Sequence, residues 1–387
     1  MGNKTRHRKT KSKSNKIQYY DYSLLAILIC LICFGLVMLF STSSYRALID
    51  YGDSMHFFKK QLFFTVVGFV GMYIVSKIPY RWYYKRAKAI YFLSLFLMAL
   101  VQTPLGKTVN GARRWLRLPM GLTLQPAEIA KIAVILFIPM MICQMGKQIK
   151  PLAGIIKVLV WGLTSSACVF FLTDNLSTAI IVAGIVCILI FVSHPKTAPF
   201  IGVAAAGMAL IIAGVSIISM TMTTSDNFRL QRIISWLNPE AYASDQSFQT
   251  LQGLYAIGSG GFFGKGLGNS VQKMMIPEVQ NDMILSVICE ELGVCGAIVI
   301  LVLFGMMIYR LVFIAQNAPD LYGSLIVTGI MAHISLQVIL NIAVVTNTIP
   351  NTGITLPFFS YGGTSVLFLL AEMGIALGVS SKIQIEE

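Results

Sequence analysis

A chain of 387 residues, 56% of them hydrophobic and only 12% charged, excludes a water-soluble globule and reads as a polytopic membrane protein. A formal charge of +14 would suit nucleic acid, but the placement of the cations argues against it. Lys4, Arg6, Arg8, Lys9, Lys11, Lys13 and Lys16 crowd an acid-free N-terminus directly before an apolar run, the pattern of a cytoplasmic segment held by anionic headgroups. Residues 1–19 therefore read as a basic cytoplasmic tail and 20–387 as one membrane domain. The first apolar run is too long, and too continuous with the rest, for a cleaved leader. Six of the seven cysteines fall inside apolar runs and Cys143 lies near the end of one, so there is neither a disulfide framework nor a paired-cysteine metal site.

In chain order, ten apolar stretches are long enough to span: 22–42, 61–78, 88–104, 127–145, 153–172, 176–193, 198–220, 283–309, 322–345 and 361–380. Backbone polar groups in lipid must pair within their own segment, so each is predicted helical and the fold class is all-α. An even number puts both termini on one side, and the basic tail puts that side in the cytoplasm. Eighteen of the thirty cations then fall inside. Nine of the twelve outside occupy just two stretches, 107–131 and 229–273. Cations gathered against the usual bias meet either outer-leaflet headgroups or an anionic ligand.

The first stretch, KTVNGARRWLRLPMGLTLQPAEIAK, has a turn at Asn110–Gly111 and arginines 113, 114 and 117 around Trp115. Pro126 suits a first helical turn, and Glu128 and Lys131, three apart, share a face. They form a self-satisfied ion pair or contact a ligand. Asp174, in a three-residue loop, caps the next helix or joins a site. The long outer loop, about 221–282, opens with an amphipathic surface helix carrying Phe228, Ile233, Trp236 and Leu237, ended by Pro239. Its GFFGKGL segment is no nucleotide loop, because Gly266 stands where Ser or Thr is required. The glycines serve tight turns or, with Lys265 and Lys273, a phosphate group. If the chain is helical from Glu278, then Glu278 and Asp282 lie four apart on one face. Glu290 and Glu291, deeper in the span, line a polar cavity or pair with cations. Ser360 and Gly362 stand at the mouth of the last span, where small residues permit close packing or the approach of a lipid-linked substrate.

NGARRW, QPAEIAK, AIGSGGFFGKGLGNSVQK, PEVQNDMILSVICEELG and LPFFSYGGTS, in this order, resemble the SEDS family of bacterial wall enzymes over nearly the whole chain beyond the tail. GKGLGNSVQK and SYGGTS resemble its division and sporulation members more than its elongation members. The resemblance implies a peptidoglycan glycosyltransferase that polymerises lipid II at the outer face of the cytoplasmic membrane. Its partners would be the growing lipid-linked glycan, a class B penicillin-binding protein and other division or sporulation membrane proteins, with no nucleic acid. It also implies that Asp282 is the essential residue. Chemistry agrees: the acceptor hydroxyl must lose a proton, which one carboxylate base can take, and the leaving diphosphate needs positive charge. The expected substrate-binding residues are Arg113, Arg114, Gln125, Glu128, Lys131, Lys265, Ser270, Gln272, Lys273, Glu278, Ser360 and Gly362. Asp282 and Glu278 could hold one Mg2+ or Mn2+ with waters, and no other cofactor is expected. Two rivals are a lipid II flippase using Glu290, Glu291 and Glu372, and a non-catalytic scaffold for the penicillin-binding protein.

Overall fold

The computed structural model describes residues 17–109, 112–117, 123–149, 151–196, 198–221, 228–242 and 247–385. Its long helices are α1 (Tyr22–Tyr51), α2 (His56–Lys77), α3 (Tyr80–Leu100), α4 (Pro126–Met145), α5 (Leu152–Thr173), α6 (Leu176–Ser193) and α7 (Ala198–Thr221). After α8 (Phe228–Leu237) and α9 (Phe248–Gly260) come α10 (Ile284–Asn317), α11 (Leu321–Val345) and α12 (Gly363–Ser380). Among the described residues, nine helices are long and apolar enough to cross a membrane. α3 matches them in length, but Arg81, Lys85, Arg86 and Lys88 fill its first turns. Every stretch read as a span is a helix. Several run on past their apolar part, as α1 does to Tyr51 and α3 does back to Tyr80, because helical hydrogen bonding needs no apolar side chain.

α4 is the most enclosed span, packed by α3, α5, α6 and α11, while α12 lies along α2. Strand β1 (Ile17–Tyr19) pairs antiparallel with β5 (Ile383–Ile385), so both ends of the described chain share one face. At that face the fully buried Asp21 caps α1 through Leu24 N–H (2.8 Å) and accepts Arg310 of α10 at 2.7 Å. At the opposite face β2 (Gly106–Val109), β3 (Ala112–Arg117) and β4 (Thr123–Leu124) form an antiparallel sheet that the apolar pattern did not announce. The Asn110–Gly111 turn lies outside the described residues. The expected cap at Asp174 is corrected: Asp174 ends α5 at φ 47°, and Asn175 caps α6, its side chain accepting from Thr178 N–H at 3.1 Å.

α10 breaks at Gly293 (φ 67°, ψ −164°), and the glycine-rich loop after α9 fills the break. Lys265 N–H donates to Glu290 C=O and Gly266 N–H to Glu291 C=O, each at 2.9 Å. In return Val294 and Cys295 N–H donate to the carbonyls of Gly261 and Phe262, each at 3.1 Å. A helix broken within a bilayer leaves backbone groups that lipid cannot satisfy, and here the loop supplies the partners. Glycine is required on both sides: a Cβ on Gly293 would meet Phe262 O at 2.4 Å, and one on Gly264 would meet Glu291 O at 2.2 Å. The glycines thus serve close backbone approach, beyond the turns read from sequence.

Candidate active site

Asp282 stands at the face opposite the termini, two residues before α10 begins. Its backbone is set by α11: the buried Asn341 donates its amide to Asp282 C=O at 3.0 Å and to Ile354 C=O at 2.7 Å. Its carboxylate is held by α9, where Gln249 donates Nε2–H to Oδ1 at 2.9 Å. Gln249 in turn accepts from Asn351 at 3.3 Å, and the Asn351 carbonyl accepts from Arg232 of α8 at 3.3 Å. Gly353 lies so near that a Cβ there would sit 3.9 Å from Oδ2. Four segments distant in sequence therefore converge on one carboxyl group.

Burial pushes this carboxyl up to about 6, and the charge of Glu278 adds to the effect. Its own backbone amide, the Gln249 hydrogen bond and the positive charge of Arg232 oppose the rise. The group is thus ionised at neutral pH yet retains appreciable proton affinity, the condition of a general base. Beside it a polar cavity of about 130 Å³ opens between α8, α9 and the last outer loop, lined by Arg232, Trp236, Ser247, Gln249, Asn347 and Asn351. Trp236 is fixed by donating Nε1–H to Asn347 C=O at 2.9 Å.

Two arginines neighbour each other here. Burial holds Arg114 and Arg232 below the usual guanidinium range; Arg232's charge pushes Arg114 further down, while Asp282 supports the charge of Arg232. Arg114 donates to Asp174 C=O at 2.9 Å, and its Nε is buried without a partner among the described residues. Neighbouring desolvated cations form an anion-receptive patch. Arg113 reaches back instead to the carbonyls of Gln102 (3.2 Å) and Thr103 (3.3 Å) at the end of α3.

Most of the other residues singled out from sequence have partners within the chain, although Gln272 Oε1 is buried without one among the described residues. Glu128 and Lys131 form the expected ion pair at 2.9 Å, buried in the first turn of α4, just after Gln125. Lys265 and Lys273, read as diphosphate clamps, pair with α10 here: Lys265 with Glu290 at 2.6 Å and Lys273 with Glu291 at 3.1 Å. Glu290 also accepts from Ser270 Oγ and from the amides of Val271 and Gln272, and Ser41 donates to Glu291. This cluster fastens the loop onto the helix break. Ser360 accepts Leu356 N–H at 2.8 Å, and Gly362 N–H donates to Gln61 at 3.3 Å, each shaping the entry to α12. The helical reading of Glu278 is corrected. That residue lies in a turn at φ 47°, so the two carboxylates share no helix face, and its exposed side chain accepts from Asn281 at 2.8 Å. Arg232, Gln249, Asn341 and Asn351 were not chosen from sequence. An amide inside the apolar α11, one turn beyond Gln337, was the available signal for Asn341.

These features define a multi-pass membrane protein with one poised carboxylate, an arginine patch and a polar cavity at the end of the bundle away from its termini. The chain belongs to the SEDS family: the family FTSW_RODA_SPOVE, described as cell cycle protein, matches residues 22–384. Stage V sporulation protein E of Bacillus subtilis is 36% identical over 364 residues, 93% of this chain and 96% of that protein. The probable peptidoglycan glycosyltransferase FtsW of Trichlorobacter lovleyi is 36% identical over 381 residues, 96% of each chain. A chain in a peptidoglycan synthase complex that coordinates polymerization and crosslinking superposes with a TM-score of 0.77 at 25% identity, covering 93% of this chain and 97% of that one. The rod shape determining protein RodA of Thermus thermophilus superposes with a TM-score of 0.65 at 25% identity, covering 93% and 96%.

Proposed function

We propose that this protein is a peptidoglycan glycosyltransferase that polymerises lipid II, with Asp282 as its general base. The observation that carries the reading is the Asp282 carboxyl, raised to about 6 and held at the junction of a polar cavity and the Arg114–Arg232 patch. The acceptor 4-hydroxyl of N-acetylglucosamine attacks the donor's anomeric carbon as Asp282 takes its proton. The bond from that carbon to the diphosphate oxygen breaks, and undecaprenyl diphosphate leaves. A diphosphate needs no protonation to depart, so one carboxylate suffices where a glycosidase uses two. Arg114 and Arg232 stabilise the developing negative charge. The cavity's amides, hydroxyls and Trp236 suit the neutral acceptor ring.

Asp282 and Glu278 also suit a hard divalent cation such as Mg2+ or Mn2+. The charge of Glu278 opposes ionisation of Asp282, and Gln280 between them has a buried carbonyl oxygen without a partner among the described residues. When bound, such an ion would add positive charge for the leaving diphosphate. The basic tail and the shared face of the termini support a cytoplasmic position for both ends. The site then lies on the outer face of the cytoplasmic membrane. The relative in a polymerising and crosslinking complex supports a class B penicillin-binding protein as partner, in division or sporulation. Glu290, Glu291 and Glu372, the carboxylates a flippase path would use, each have a cationic or imidazole partner. The test is a product gel from purified protein and lipid II: Asp282→Ala is expected to lower polymerisation by roughly 10²–10⁴-fold with folding kept. Wild-type polymer from that variant overturns the assignment.

A further inference from the structure

A second cavity, of about 460 Å³, lies at the face of the termini, between the start of α3, the end of α4 and the start of α11. Its wall is made by Tyr84, Cys143, Leu321 and Tyr322, and its rim by Arg81 and Lys85. Tyr84 and Tyr322 meet edge to face at 4.9 Å, and the Tyr322 hydroxyl turns inward to Leu136 C=O at 3.3 Å, so the rings present carbon to the cavity. Asp320, the one acid at the rim, is engaged by Gly323 N–H at 2.9 Å and by the Tyr80 hydroxyl at 2.8 Å. Arg81 pairs with Asp320 at 3.6 Å while its side chain remains 78% exposed, and Lys85 is exposed.

The level of the rim in a bilayer is marked by its neighbours. Lys77 sits 5.1 Å over Tyr73 and Arg86 5.8 Å over Trp82, and both rings are exposed, Tyr73 by 62% and Trp82 by 48%. Exposed aromatic rings carrying cations form an interfacial belt, where headgroups meet hydrocarbon. An apolar cavity opening at that level faces acyl chains. At roughly 30 Å³ for each water-sized group, it has room for on the order of fifteen chain carbons, about one acyl chain.

We propose that this cavity binds one anionic phospholipid, its phosphate between Arg81 and Lys85 and one acyl chain against Tyr84, Leu321 and Tyr322. The charge decides the class of lipid: two exposed cations against one acid leave the rim net positive, so a zwitterionic headgroup gains less than an anionic one. The site lies at the opposite face from Asp282 and does not depend on the proposed chemistry.

Native mass spectrometry of the full chain, titrated with phosphatidylglycerol or phosphatidylcholine, measures the preference. The wild type is expected to retain phosphatidylglycerol, and Arg81→Ser with Lys85→Ser to weaken that retention roughly 30-fold, whereas Arg81→Lys with Lys85→Arg, which keeps both charges, should retain most of it. A variant keeping Cys143 as its only cysteine reports the location: phosphatidylglycerol should slow labelling of Cys143 by maleimide, and phosphatidylcholine should not. Equal retention of the two lipids, undiminished retention by the double variant, or unprotected Cys143 overturns the proposal. Protection of Cys143 by a co-purified protein alone would likewise overturn it in favour of a polypeptide occupant.

Discussion

Asp282→Asn should lower polymerisation by roughly 10²–10⁴-fold and at the same time make the protein more stable. The wild-type carboxyl is raised from 3.8 to about 6, chiefly by burial, so ionising it in the folded protein costs about 2 × 1.36, or roughly 3 kcal/mol, relative to the unfolded chain. A group raised in this way favours the fold below the unfolded value and loses that contribution as pH climbs through 6. Asparagine keeps the shape without the charge, but it leaves Arg232 without its neighbouring carboxylate. The expected net gain is therefore about 1–2 kcal/mol above pH 7, a few degrees in apparent Tm. The assay is thermal unfolding of the purified protein followed by tryptophan fluorescence from pH 4 to 8. The gap between variant and wild type should be small near pH 4, open between 4 and 6, and be complete by about 7. A gap that ignores pH, or a variant less stable than wild type throughout, would refute the reasoning that burial sets the proton affinity of this base.

Arg232→Gln removes a guanidinium from the anion patch and should raise the KM for lipid II roughly 10–100-fold; without its charge Asp282 rises further, so the acidic limb of kcat/KM moves to higher pH. Gly293→Ala places a Cβ 2.4 Å from Phe262 O at a φ of 67° and should cost at least about 2 kcal/mol, read as a lowered Tm with loss of polymer. If Asp282 and Glu278 share a divalent cation, chelation should slow polymerisation and Mg2+ or Mn2+ restore it; rates indifferent to chelator would remove the ion from the site.

Much of the architecture was legible from local pattern. A membrane helix satisfies its own backbone within one contiguous stretch, so apolar runs announced the long helices, and the amphipathic spacing through Trp236, ended by Pro239, announced α8. The Glu128–Lys131 pair was readable for the same reason, because partners three apart share a turn. Position at the head of α10 likewise made Asp282 a candidate.

What surrounds Asp282 was not readable. Asn341 lies 59 residues away along the chain, Gln249 lies 33, and Arg114 feels the charge of Arg232 from another part of the chain. Lys265 and Lys273 looked like phosphate ligands because their own carboxylates, 25 and 18 residues on, approach only when the glycine loop enters the break at Gly293. Composition and periodicity thus determined the helices, their alternation through the bilayer and the residue poised at a helix mouth, since those depend on neighbours in sequence. Which charges neutralise one another and which face a ligand was decided by packing alone, since Coulomb attraction and desolvation act through distances that only the folded bundle sets.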